Sequence, residues 1–71
     1  MMTNNFQIYL YQNTGEIQDY GSSDDRDQIL NDWQHWKSAT DLWTDIDELL
    51  VLEFRDVVVE TYLIPDSQRG N

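Results

Sequence analysis

Few backbones other than a β-hairpin satisfy residues 5–20, NFQIYLYQNTGEIQDY. Large side chains alternate at the period of two that a half-buried strand requires. Asn13 and Thr14 suit the two right-handed positions of a type I turn, and Gly15 the left-handed position that closes a three-residue loop. Pairing Gln12 with Glu16 then sets the register, with Phe6, Ile8, Leu10 and Tyr20 on one face and Tyr9, Tyr11 and Ile17 on the other. The first face can cover a core. The second is too apolar to be wholly solvated, so Tyr9, Tyr11 and Ile17 form a candidate dimer or partner patch, set against the plainer reading of half-exposed strand tyrosines.

Gly21 is expected to end the hairpin, and SSDDRDQILNDWQHWK to form a long helix starting at Ser22 or Ser23 with a serine cap. Asp24, Asp25 and Asp27 complement the positive end of its dipole and Lys37 the negative end. At 100° per residue Ile29, Leu30, Trp33 and Trp36 gather on one side, and Asp24, Asp25, Gln28, Asn31, Asp32 and His35 on the other. Residues 40–50 fit a second, short helix capped by Thr40. Leu42, Trp43, Ile46, Leu49 and Leu50 share one side of it, Asp41, Asp45 and Glu48 the opposite side, and Asp47 the border. From about Glu48 the sequence turns strand-like, because LLVLEF and VVVETYLI are β-branched and aromatic. Arg55 and Asp56 leave two alternatives open, a tight turn lacking the usual Gly or Asn, or one long bulged strand. Pro65 should end the last element. The expected architecture is α+β: an antiparallel sheet of three or four strands with one long and one short helix packed on one face, residues 1–64 forming a single domain and 65–71 a mobile tail.

Such a chain has little to hold it together besides burial. It has 71 residues and no cysteine, so disulfides and cysteine-ligated zinc are excluded. Three Trp, four Tyr and two Phe supply the apolar surface, unless a second copy completes it. Fourteen acids against four bases give a net charge of −10, which favours solubility and attraction to basic surfaces. Direct binding to nucleic acid or to an anionic membrane is disfavoured, since Lys and Arg are too few to neutralise phosphates. The N-terminal stretch MMTNNFQIYLYQNTG carries neither a basic leader region nor a membrane-length apolar run, so a cytoplasmic location is expected.

Chemistry is sparse. His35 is the only histidine, on the polar side of the helix, and a zinc site would need further nitrogen or sulfur ligands. The acidic runs DIDE and DDRD lack the glycine turn of a calcium loop. No Cys–His pair and no glycine-rich phosphate loop is present, and acids on polar faces are poor candidates for raised-pKa catalysis, so no enzyme, metal or cofactor is expected. Trp33 lies at the centre of its stripe and reads as core. Trp36 and Trp43 lie at stripe edges near Asp32 and Asp47, a composition suited to anchoring a basic partner, although an edge-of-core role fits each as well. Along the helix Asp25 and Asp32 stand about 10 Å apart, close to a small multiple of the ~3.4 Å phosphate spacing of one DNA strand.

The segment DLWTDIDELLVLEFRD is similar to part of barstar, the acidic ribonuclease inhibitor, through Leu42, Trp43 and Leu50 to Phe54. It departs where barstar has an acid after the tryptophan, since Thr44 stands there, and no binding residue is carried over. The order of hairpin, helix and acid-rich sequence running into strands resembles the small dimeric uracil-DNA glycosylase inhibitors of bacterial phages, which mimic DNA. The resemblances imply an inhibitor of a nucleic-acid-processing enzyme. The basic partner would then be met by Asp24, Asp25, Asp27, Asp32, Asp41, Asp45, Asp47 and Glu48 in place of phosphates, with Trp36, Trp43 or the Tyr9/Tyr11 face as apolar anchor. The alternative is a homodimeric assembly module whose acids serve solubility.

Overall fold

The computed structural model describes residues 5–70. Residues 1–4 of the expected domain and Asn71 of the expected tail lie outside the described residues. Four strands, β1 (Phe6–Gln12), β2 (Ile17–Ser23), β3 (Asp47–Phe54) and β4 (Val57–Leu63), form one sheet in the order β2-β1-β3-β4. Every neighbouring pair is antiparallel. One helix, α1 (Arg26–Ser38), joins β2 to β3, and a 3-10 turn covers Asp66–Gln68. The fold is α+β, with the strand count at the upper end of the expectation.

The first hairpin follows its sequence closely. The Gln12 N–H donates to Glu16 O, the Gly15 N–H donates to Gln12 O, and Gly15 holds φ +93, a value that glycine adopts without steric cost. Tyr11 faces Ile17 and Tyr9 faces Asp19, after which the register slips by one residue so that Ile8 faces Gly21. This bulge carries β2 past Gly21 to Ser23, correcting the expected end of the hairpin. The helix cap accordingly falls two or three residues later than the expected Ser23 or Ser22. Asp25 is the cap, its carboxylate accepting the Asp27 and Gln28 N–H groups, while Ser23 Oγ accepts the Asp25 N–H.

The short second helix is absent: α1 is the one α-helix among the described residues. Asp41 takes a left-handed φ of 62, which stops helical propagation, and Trp43 forms a parallel bridge to Arg69. The Asp47 carboxylate then accepts the Thr44 N–H and hydroxyl, and the Asp47 N–H returns to Thr44 O, closing a turn that feeds β3. The helical periodicity of Leu42, Trp43 and Ile46 loses to tertiary demand. Leu42 and Ile46 are left exposed, while an open loop delivers Trp43 to the core at 1 % exposure.

At Arg55 and Asp56 the structure chooses the tight turn. Both residues have positive φ, 50 and 67, the signature of a primed two-residue turn in a position that usually takes Asn or Gly. Residues 66–70, expected to trail from the domain, are bonded back to it. Arg69 donates to the carbonyls of Thr44, Asp47 and Ile64, and the Gly70 N–H donates to Trp43 O. A side chain at Gly70 would meet Asp41 O at 2.9 Å, so this close approach needs glycine.

The core lies between the sheet and α1. Ile8, Leu10, Leu50 and Leu52 project from the central strands and meet Ile29 and Trp33 from α1, with Trp43 and Ile64 closing the end. Leu30, placed on the apolar side by periodicity, is 37 % exposed, so the buried stripe of α1 is narrow. No helix among the described residues is long and apolar enough to cross a membrane.

Candidate partner surface

Most of the predicted partner-binding acids fall in two groups, at opposite ends of the sheet. Asp24, Asp25 and Asp27 surround the start of α1, next to the start of β1, because Asp24 Oδ1 accepts the Asn5 N–H at 2.8 Å. Asp45 and Glu48 belong to the other end, where the Asn13 N–H donates to Ile46 O and Asn13 Nδ2 donates to Asp45 O. A seven-residue strand separates the ends, about 20 Å at the usual rise. Asp32 is half-buried on α1, and Asp41, Asp45 and Glu48 are exposed. The structure therefore sorts the predicted acids into two separate groups, with Asp32 between them on α1.

Two of the predicted partner residues are internal. Asp47 is only 5 % exposed and spends its oxygens on Gln12 Nε2, the Thr44 N–H and the Thr44 hydroxyl. Trp43 stacks on Tyr20 at 5.7 Å, and its indole N–H donates to Ala39 O. Trp36 is half-buried between Tyr20, His35 and Trp43, with ring centroids at 4.8, 5.1 and 6.2 Å. It is the edge of an aromatic cluster, and of the two tryptophans singled out it alone reaches solvent. Burial, followed by the Asp47 charge, raises the Tyr20 pKa.

Three of the four bases are engaged inside the fold. Lys37 pairs with Glu60 at 2.9 Å, Arg69 pairs with Asp66 at 3.1 Å, and Arg55 lies over the Phe54 ring and bonds Asn5 Oδ1. Glu60 also accepts the Trp33 indole N–H at 2.9 Å, and this bond, then that of Lys37, lowers its pKa. The outward field is thus left to the carboxylates.

The sheet face away from α1 carries the other predicted patch. Ile17, Tyr11, Leu49 and Leu63 are cross-strand neighbours and form one row over all four strands. Tyr11 is 38 %, Ile17 56 % and Leu63 67 % exposed. The next row, Asp19, Tyr9, Val51 and Thr61, is closed at its centre. Val51 is 2 % and Tyr9 9 % exposed, the Tyr9 ring meeting Tyr11 edge-on at 5.4 Å and its hydroxyl donating to Glu53. Sequence reasoning found Tyr9, Tyr11 and Ile17 but missed Leu49 and Leu63. Their alternation within LLVLEF and VVVETYLI became readable only once the Arg55–Asp56 turn had fixed the register of β4.

A shallow cavity of about 360 Å³ lies in the loop, lined by Asp41, Leu42, Trp43, Thr44, Asp45 and Gly70. Among the described residues no group of three or more His, Asp or Glu side chains is arranged to hold a metal ion. No family model matches this sequence, and no curated protein or solved structure matches it.

Proposed function

We propose that this chain is a non-enzymatic acidic binding protein that occupies the basic nucleic-acid site of an enzyme such as uracil-DNA glycosylase or a nuclease, with its carboxylates standing in for phosphates. The observation that supports this most is the disposition of charge. Three of the four bases are consumed by internal contacts, while exposed acids crown both ends of the sheet about 20 Å apart. That separation spans roughly six phosphates of one DNA strand at ~3.4 Å each, so the reading is one of two acidic groups bracketing a site. Asp24, Asp25 and Asp27 form one group, and Asp41, Asp45 and Glu48 the other. Asp47 and Trp43 leave the contact set because they are buried. The partner is a basic protein surface met in the cytoplasm, with neither nucleic acid nor membrane bound directly.

The test is capture from a bacterial lysate at low salt, with elution by salt and by duplex DNA. Release of a DNA-processing enzyme by DNA, and a steep loss of its affinity with salt, is the expected outcome. Binding unchanged between low and high salt would sink the proposal. A second reading, a homodimeric assembly module joined through the predicted patch, draws support from the exposed Tyr11 and Ile17 on the open face, whereas Tyr9 is buried at 9 % exposure and drops out of the contact set. Sedimentation of the wild type beside a Tyr11→Asp, Ile17→Asp variant, both sites being exposed, separates the two: a dimer lost without loss of any partner favours the module.

A further inference from the structure

The two edges of the sheet are guarded unequally. On β2, Asp19 is exposed and turns its carboxylate onto the Gly21 N–H, and the register slip beside Tyr9 interrupts the ladder in mid-strand. On β4 the guards are weaker. Its bulge falls near the Arg55–Asp56 turn and leaves Glu60 to Leu63 in regular register, and its one charge, Glu60, is held by Trp33 and Lys37 on the covered side. Val57, Val58, Val59 and Leu63 are each more than half exposed, and α1 packs chiefly on β1 and β2. The backbone supplies a direction. Because the Ile64 N–H donates to Glu48 O, and Leu49 faces Leu63, Glu48 and Ile64 are a hydrogen-bonded pair of the antiparallel ladder. Such pairs alternate, so Tyr62 and Glu60 aim their N–H and C=O groups at β3, while Leu63 and Thr61 aim theirs away from the sheet. An outward row of this kind is met by water or by another strand.

We propose that a second copy of the chain pairs with β4 along this edge, antiparallel and about a two-fold axis at Thr61, so that two four-stranded sheets become one. The axis sets Thr61 against its own image, Val59 against Leu63 of the second copy and Glu60 against Tyr62 of the second copy. No acid of the strand then faces an acid. In a chain of net charge −10 most approaches bring carboxylates together, but the seven residues of β4 hold one acid, and Lys37 compensates it. This edge is where two copies meet with least repulsion. The contact is small, about 1,000 Å² in total at the lower bound of a specific interface, so the dimer is weak. Salt separates it from the acidic contact proposed above: screening weakens attraction to a basic partner and relieves repulsion between two acidic copies.

Sedimentation equilibrium of the full chain up to about 1 mM, at about 0.05 M and 0.5 M salt, should show a monomer–dimer equilibrium that tightens about tenfold with salt. Hydrogen exchange reads the edge itself. The Thr61 and Leu63 amides should exchange fast in dilute solution and slow about tenfold where the dimer dominates, while the Tyr62 amide is slow in both. Thr61→Pro removes an outward N–H without touching the bonds to β3, so the amide spectrum should stay folded while the dimer is lost. Leu63→Lys, at a site 67 % exposed, serves the same end if proline unfolds the chain. Tyr11→Asp with Ile17→Asp lies away from β4 and should leave the dimer intact. A chain that is monomeric at about 1 mM in high salt overturns the proposal, as does a dimer that Thr61→Pro and Leu63→Lys both leave as tight as the wild type. A dimer lost with Tyr11→Asp and Ile17→Asp but kept with Thr61→Pro overturns it in favour of the open face. A monomeric wild type whose capture of a lysate protein is abolished by Thr61→Pro overturns it in favour of a partner's strand.

Discussion

One sheet presents two faces that solve burial differently. Toward α1, Ile8, Leu10, Leu50 and Leu52 are at most 2 % exposed because a helix lies over them. On the open face Val51 is equally hidden, yet no element covers it among the described residues. There the strands shield themselves. Tyr9 and Tyr11 lean edge to face and Glu53 holds the Tyr9 hydroxyl, so burial is reached at the centre and fades toward Ile17 and Leu63. The covered face is stabilised by area removed from water and by close packing. The open face is stabilised by pairwise contacts between neighbours, which leaves surface available for a partner.

The largest expected effect tests the contrast directly. Leu50→Ala, at a site with no exposed surface, should cost about 2–5 kcal/mol, because the cavity lies under α1 and cannot fill with solvent. Ile17→Ala, with 56 % of its surface already wet, should cost below about 1 kcal/mol. Urea unfolding of both variants measures the difference, and equal losses would mean that the open face is covered in solution.

Tyr9→Phe probes the self-shielding half of the comparison. Loss of the hydroxyl's bond to Glu53 should cost about 1 kcal/mol at neutral pH. Burial first, then the bond and charge of Glu53, push the Tyr9 pKa well above its ordinary 10.0. With the folded value above the unfolded one, the neutral phenol's contribution is whole below pH 10 and is lost as pH rises toward the folded value. Denaturant titrations from pH 8 to 11.5 should show a shallower alkaline decline in the variant. The decline should not vanish, because the Tyr20 pKa is raised in the same direction.

The two faces were also unequally legible in the sequence. Alternation in FQIYLYQ sorted β1 correctly, since the Asn13-Thr14-Gly15 turn fixes the register by local chemistry alone. The second hairpin was ambiguous because Arg55 and Asp56 are held at positive φ by the strands around them, a conformation their side chains do not announce. The false helix at 40–50 shows the same limit. Its apolar spacing is real, but Trp43 is fixed by Tyr20 and Arg69, partners distant in sequence. Of the candidate acids, sequence pattern set Asp47 only at the border of the face that holds Asp45 and did not mark it as buried. Only the bonds to Gln12 and Thr44 make the first structural and leave the second facing water.

The smallest effect concerns Glu60, the one acid of β4, which reaches toward the covered face from an edge strand. Its carboxylate accepts from the buried Trp33 indole and from Lys37, and these bonds hold its pKa below 4.5. A carboxylate depressed in the folded state contributes stability above its unfolded pKa and loses it as pH falls through the folded value. Glu60→Gln keeps an acceptor for the indole and deletes the charge, so the wild type should exceed the variant in stability at pH 7. The margin should close below pH 4.5. Because the Glu60 side chain is 48 % exposed, solvent screens the pair and the margin should be small and shrink with salt. Acidification also relieves the repulsion among fourteen acids, which acts in the opposite direction on both proteins. The difference between them cancels that common effect and isolates the covered face. A margin unchanged from pH 7 to pH 3 would show that Glu60 serves only as a neutral acceptor, and that the seal over Trp33 owes nothing to charge.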